Sequence, residues 1–472
     1  MKSNQGQNQS KLSEFLDNPR RALWRLSLPV LGGMAIHTLY SITDMMFVGW
    51  VGENAIAALA FNMPLLFFAF GMTMGLASGV TAVLARVIGA DDKTSADNTA
   101  EHAVAMGLFL GTGLSLAGFI IGPQMLSLAG AEGEVHSLAW AYFRIVCASL
   151  PFLVMASFFR GILTGEGDTM RPMKIMGVGT ILNIILDPIM IFGLDLGVVG
   201  AAVATFISQL AVFVIFIYLV IFRKSTYVRF RLRNFSFNPS IFGAILQIGV
   251  PASLSFILMS AGAAIFNKIL STYSFQAVAA YQIAGRLEML VLMPIIAIAT
   301  GCVTLVGMFF GAAEYDKLRE IVRLSISRAV TIGLIAGVII YVSAPLAMKV
   351  FRASPEILGY GVSYLRVVAF IFPLIPLGMM SGRIMQGMGR GLPMLVLTTL
   401  RVVGLSAPLA IYFSQYLHKP VVWVWYSMFI SAVVASFVGI TWLINMLRKV
   451  EDLPVPAGKQ DEPPDLAPEV AG

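Results

Sequence analysis

Apolar residues dominate twelve stretches of this chain, at roughly 26–50, 57–87, 102–124, 136–159, 173–194, 197–222, 241–271, 278–310, 325–350, 359–384, 392–415 and 420–446, with short polar or glycine-containing connections between them. At 1.5 Å of rise per residue, about twenty apolar residues cross the ~30 Å hydrocarbon core of a bilayer. Each stretch therefore predicts a membrane-spanning helix, and the chain reads as an all-α membrane protein. The first stretch, LSLPVLGGMAIHTLYSITDMMFVGWV from Leu26 to Val51, departs from this pattern in one respect. His37, Tyr40 and Asp44 are spaced i, i+3, i+7 and so share one helix face. An ionisable group at membrane depth is costly unless it finds a partner, water or a neutral form. That stripe predicts either hydrogen bonding between helices or a substrate or ion site.

Composition supports the membrane reading. The 472 residues are 58% hydrophobic and 12% charged, about half the charged fraction of a soluble domain. The net charge of +7 does not point to nucleic acid, because in a membrane protein the placement of lysine and arginine carries the information. With a cytoplasmic N-terminus, most basic residues fall on inner connections, including Arg20, Arg21 and Arg25 at the start and Arg223, Lys224, Arg229, Arg231 and Arg233 in the middle. The outer connections hold only Lys268, Lys349, Arg352 and Lys419, and Arg144, Arg286, Arg366 and Arg401 fall within spans. This asymmetry predicts that both termini are cytoplasmic. The polar, basic first 25 residues lack the apolar core of a cleavable signal peptide. Cys147 and Cys302 lie in apolar runs and suggest neither a disulfide nor a metal site.

The chain repeats itself. A shift of 222 residues carries Pro29 to Pro251, Ile56-Ala57-Ala58 to Val278-Ala279-Ala280, Gly89-Ala90 to Gly311-Ala312, and Pro151 to Pro373. Ile162, Gly165 and Gly167 meet Ile384, Gly387 and Gly389, and one deletion later Pro172 meets Pro393. The expected organisation is a cytoplasmic segment 1–25, a six-helix half 26–222, a basic linker 223–240, a second six-helix half 241–447 and a disordered cytoplasmic tail 448–472, rich in proline and acid. An even number of spans per half makes this a parallel repeat, an arrangement suited to alternating access.

Three acids fall deep within spans: Asp44, Asp187 and Glu288. At the shifted positions of the first two, the second half has Phe266 and Pro408, so these acids are not part of the shared scaffold. Asn183 lies one turn before Asp187 on the same face, and Pro188 follows it, freeing a carbonyl in the preceding turn. Thr205 and Gln209, spaced i, i+4 on the next span, extend the polar lining. Two aspartates with a phenol or amide one turn away predict a functional site in the first half. Glu288, two residues after Arg286, suggests an internal ion pair or gate contact, and His37 a hydrogen-bonding group or proton relay. No GxxxxGK[ST] loop, HExxH signature, paired cysteines, serine–histidine pair in a hydrolase context or filter-like glycine–tyrosine repeat is present. These absences leave a secondary transporter, with a membrane enzyme a distant alternative.

The opening RLSLPVLGGM…YSITDMMFVGWVG, the segment VGENAIAALA with its echo SFQAVAAYQIAGR, and RGILTGEGDTMRPM after the fourth span resemble the multidrug and toxic compound extrusion (MATE) family over roughly residues 15 to 450. The resemblance is to its DinF-type prokaryotic branch, whose first-half site maps onto Tyr40, Asp44, Asn183, Asp187 and Thr205. Spans 241–271 and 359–384 lack the acids of the NorM-type second-half site. The resemblance implies a V-shaped pair of bundles in the cytoplasmic membrane, exporting cationic or amphipathic small molecules by antiport with protons. Sodium, held by Asp44, Asp187, Asn183 and Thr205, is the competing coupling ion. A monomer surrounded by lipid, with no cofactor, resident metal or nucleic-acid partner, is expected. A lipid-linked oligosaccharide flippase of the same superfamily is the alternative function.

Overall fold

The computed structural model of the chain describes residues 12–223, 226–230, 235–351 and 354–451. Lys224, Arg231 and Arg233 of the basic linker, residues 1–11 of the expected terminal segment and most of the expected tail lie outside the described residues. The first half comprises α1 (Pro19–Val51), α2 (Glu53–Gly89), α3 (Lys93–Leu128), α4 (Gly133–Gly165), α5 (Met170–Gly193) and α6 (Gly197–Phe222). The second comprises α7 (Pro239–Ser271), α8 (Phe275–Gly311), α9 (Tyr315–Lys349), α10 (Pro355–Ile371), α11 (Ile375–Gly387), α12 (Leu392–Tyr416) and α13 (Val422–Glu451). Eleven of these are long and apolar enough to cross a membrane, and α10 with α11, taken together as a bent pair, would make a twelfth. The protein is a multi-pass, all-α membrane protein.

Two features correct the sequence reading. The stretch expected as one span at 359–384 is broken, with α10 and α11 inclined at 52°. Pro373 and Pro376 both lack an N–H, so Ala369 and Phe372 lose their donors within a single turn. The helices also outrun the apolar stretches: α1 begins at Pro19 and α9 at Tyr315. Side-chain caps fix several of these starts, with Asn18 Oδ1 accepting from Arg21 N at 3.0 Å and Asp92 Oδ1 from Ser95 N at 2.9 Å. One consequence is that Arg160, just past the fourth apolar stretch, lies inside α4; Arg383 lies inside α11.

The halves meet through small residues used twice. Gly79 of α2 crosses α7, where a Cβ would come within 2.7 Å of Ile245 O and 2.9 Å of Gly249 N. The repeat-related Gly301 of α8 crosses α1, where a Cβ would come within 2.8 Å of Ser27 Oγ. At the ends of α2 and α8, Gly89 abuts Met308 and Gly311 abuts Arg86, again mates under the repeat. In a bilayer, helix association rests on such close backbone approach, because lipid is as apolar as the side chains it replaces.

Buried side chains show where these contacts stop. One core draws on both halves and contains Leu23, Leu26, Leu84, Phe159, Ile248, Ile298, Val306 and Ile384. Away from it, Val48, Leu59, Tyr142 and Ile191 form a core within the first half alone, and Phe266, Tyr364, Phe372 and Trp425 one within the second. The molecule is thus closed at the end that carries the starts of α1 and α7 and split at the other. This is the V expected for the fold class.

Candidate functional site

The site lies on the open-end side of the first half, where α1, α4, α5 and α6 converge. α5 delivers Asp187, which is fully buried, and Asn183 one turn earlier. Pro188 removes the N–H that would serve Ile184 O, and a wide π-type turn, Ile189–Gly193, follows at once. The widened helix end keeps polar backbone beside the carboxylate. Only one orientation of the Asn183 amide avoids facing donor with donor: Nδ2 donates to Asp187 Oδ2 at 3.1 Å and Oδ1 accepts from Thr205 N at 3.2 Å. Thr205 Oγ1 lies 3.5 Å from Tyr40 Oη, which ties α6 to α1.

Asp44, one turn after Tyr40, is half-buried and lies within charge–charge range of Asp187. Its Oδ1 is shut off from solvent with no hydrogen-bond partner among the described residues. A buried carboxylate oxygen left without a donor is costly, so the site calls for a proton or cation there. Tyr142 of α4, buried and within charge range of Asp44, Tyr40 and Asp187, completes the wall. Toward the open end, Phe47, Trp50 and Phe192 form an aromatic group with ring centroids 5.5 to 6.4 Å apart. Their faces suit contact with an organic cation.

The structure therefore brings together Tyr40, Asp44, Asn183, Asp187 and Thr205, the set expected from the sequence. Gln209 is half-buried one turn beyond Thr205. His37 packs edge-on to Tyr40 at 5.7 Å and is exposed, yet within charge range of Arg160 on α4, which places it on the cleft side of α1. Pro29 is buried in α1, well toward the closed end. Glu288 lies in the other half. The expected ion pair with Arg286 is not formed: Glu288 Oε2 accepts from Tyr364 Oη at 2.5 Å, and Arg286 Nη2 instead lies 4.0 Å from Met45 Sδ. A guanidinium two residues away along a helix points to a different face, which explains the difference. Tyr142 and Arg160 escaped the sequence reading, since neither stands out from its surroundings by spacing.

Known proteins bear out the family. The MatE family model matches residues 29–189 and again 251–412, so that the two matches begin 222 residues apart. A probable multidrug resistance protein of Bacillus subtilis, YoeA, is 26% identical over 415 residues, covering 86% of this chain and 90% of that protein. A probable multidrug resistance protein of Thermotoga maritima, NorM, is 25% identical over 433 residues, covering 90% and 92%. A solved structure described as the outward-facing conformation of a multidrug resistance MATE family transporter superposes with a TM-score of 0.89 at 33% identity, covering 94% of this chain and 99% of that one. The chain belongs to the MatE family.

Proposed function

We propose that this protein is a secondary transporter that exports organic cations and amphipathic drugs in exchange for protons. The observation that carries the reading is the orphaned Asp44 Oδ1 within charge range of Asp187, in a polar pocket walled by tyrosines. Two carboxylates this close repel when both are ionised, so the pair takes up a positive charge readily and releases it when its surroundings change. The membrane potential favours inward movement of that charge. Sodium is the alternative coupling ion, with Asp44, Asp187 and the Asn183 and Thr205 oxygens as its ligands. The excess of basic residues on one set of connections supports cytoplasmic termini, a location in the cytoplasmic membrane and a cleft that faces outward in this conformation. The similarity to proteins named for multidrug resistance supports the substrate class.

Drug accumulation in cells overexpressing the protein, set beside transport of a lipid-linked precursor in vesicles, tests the reading. Lower accumulation of several chemically unrelated cations together supports it. Unchanged accumulation with accelerated movement of the lipid-linked precursor would replace it with a flippase.

A further inference from the structure

The described parts of the linker between the halves are held down at the closed end. Val228 is buried in the core that both halves share, and its N–H donates to Glu166 Oε1, just past α4, at 3.0 Å. Arg229 N–H donates to Asp97 Oδ1 of α3 at 2.7 Å. Lys93 of α3 pairs with Asp97 and sits 4.7 Å from the centroid of the Tyr227 ring. All these anchors belong to the first half. The linker then delivers Asn238, which caps the first helix of the second half: its Oδ1 accepts from Ser240 N at 3.0 Å. The N–H of Asn238 donates to Nε2 of His102 on α3 at 2.9 Å, so one hydrogen bond clips the start of α7 to the opposite half.

That bond admits one protonation state of the ring. His102 Nδ1 lies 2.9 Å from Asn98 O, and a carbonyl only accepts, so Nδ1 carries the proton. Nε2 is then bare, as it must be to accept from Asn238. The ring is 1% exposed, with Phe235 and Phe237 at centroid distances of 5.0 and 5.5 Å. A proton added at Nε2 would face the Asn238 N–H donor to donor in a place closed to water, which costs the bond and leaves both donors unmatched. Among the described residues, the charged groups on the surrounding elements are Lys93, Asp97 and Glu101 of α3, Arg160 and Glu166 at the end of α4, and Arg229 of the linker. α2 carries none between Glu53 and Arg86, and α7 none before Lys268. Asp97 and Glu166 are engaged by the linker backbone. We propose that His102 is a proton-sensitive latch on the closed end of the molecule. Neutral, it holds the cap of α7 against α3 and keeps the halves together; protonated, it lets α7 go. The closed arrangement binds one proton fewer at this ring than the separated one, so falling pH favours separation. Imidazoles change charge between about pH 5 and 8, and with the termini cytoplasmic the latch answers to the cytoplasm. It lies apart from Asp44 and Asp187 and holds whichever cation drives exchange.

The test uses the full chain in lipid nanodiscs, with spin labels at the exposed positions Thr94→Cys on α3 and Asp316→Cys on α9. Distances are read at about pH 8 and about pH 5.5, on either side of the imidazole range. The comparison is with His102→Gln, whose Oε1 accepts from Asn238 N–H but whose amide takes no proton. On acidification, the ratio of separated to closed populations should rise about tenfold more in the wild type than in His102→Gln, as expected for loss of one buried hydrogen bond. An equal rise in the two proteins overturns the inference, because the titration then comes from other groups, Asp44 and Asp187 included. Separation enlarged alike at both pH values in His102→Gln would make the ring a packing residue and overturn it too. Should His102→Gln fail to fold, hydrogen exchange on the unaltered protein decides. Corrected for the intrinsic rate, the Asn238 amide should lose about tenfold in protection on acidification, beyond any change at the Gly249 amide further along α7. Protection that does not change with pH, or that changes equally at both amides, overturns the latch. None of these readouts requires transport, so failure of the exporter reading and failure of the latch are told apart.

Discussion

Gly311→Ala should loosen the closed end of the molecule. A Cβ at Gly311 would overlap Arg86 O outright and lie 2.8 Å from Arg86 C and 3.0 Å from Ala90 N, against the 3.4–4 Å of ordinary contact. The atoms in the way are backbone, so the two helices must separate by roughly an ångström or more. Overpacking of this kind costs about 1–3 kcal/mol. Alanine recovers about 0.5–1 kcal/mol of helix propensity over glycine, and this gain persists in every conformation that keeps α8 helical. Because that gain is the same in both arrangements it cancels, and the bias against the closed one is the full ~1–3 kcal/mol, or a roughly 5- to 160-fold shift in population. Gly89, its mate under the repeat, would meet Met308 C at 2.7 Å and should behave alike. Spin labels introduced by Thr94→Cys and Asp316→Cys, at exposed positions just beyond these contacts in each half, report the distance across the closed end. A population at longer distance should grow in the Gly311→Ala protein. An unchanged distance distribution would refute the claim that these glycines hold the halves together.

Pro29→Ala restores a donor for Arg25 O and stiffens α1 between the inter-half contact and the polar site. It should slow turnover more than it weakens substrate affinity, which a binding isotherm set beside initial rates will show. Tyr364→Phe leaves Glu288 without its 2.5 Å donor and should lower stability by about 1–3 kcal/mol in thermal unfolding while drug export persists. Glu288→Gln keeps a hydrogen-bonding side chain there and should be milder on both counts.

Hydrophobicity sustained over twenty residues is demanded at every crossing, so the spans and their doubling were legible in the sequence. An acid in such a run is equally conspicuous, which is why Asp44 and Asp187 could be found without coordinates. The bend between α10 and α11 was less so. Pro151 and Pro373 are equivalent under the repeat, yet α4 continues unbroken through Pro151. The difference is Pro376, whose counterpart in the first half is Val154, so only the second half loses two donors in one turn. Tyr142 was hidden because a tyrosine in an apolar run is ordinary. Arg160 and Arg383 were hidden because they fall within a few residues of the inner ends of the apolar stretches, where basic residues are expected in any case. Only the side-chain contacts, Arg160 with Met74 of α2 and Arg383 with Gln386 and Phe256, show that both lie inside the bundle.

The central claim is that the Asp44–Asp187 pair carries the coupling charge. Its most direct test is substrate transport by Asp44→Asn protein in vesicles under an imposed proton gradient, with Asp187→Asn measured alongside. Asparagine keeps the shape and polarity of the side chain but can neither gain nor lose the proton. The account predicts that the Asp44→Asn protein folds, reaches the membrane and binds substrate, but shows no gradient-driven transport, and that Asp187→Asn is abolished or severely slowed. Gradient-driven transport by Asp44→Asn at the wild-type rate would contradict it.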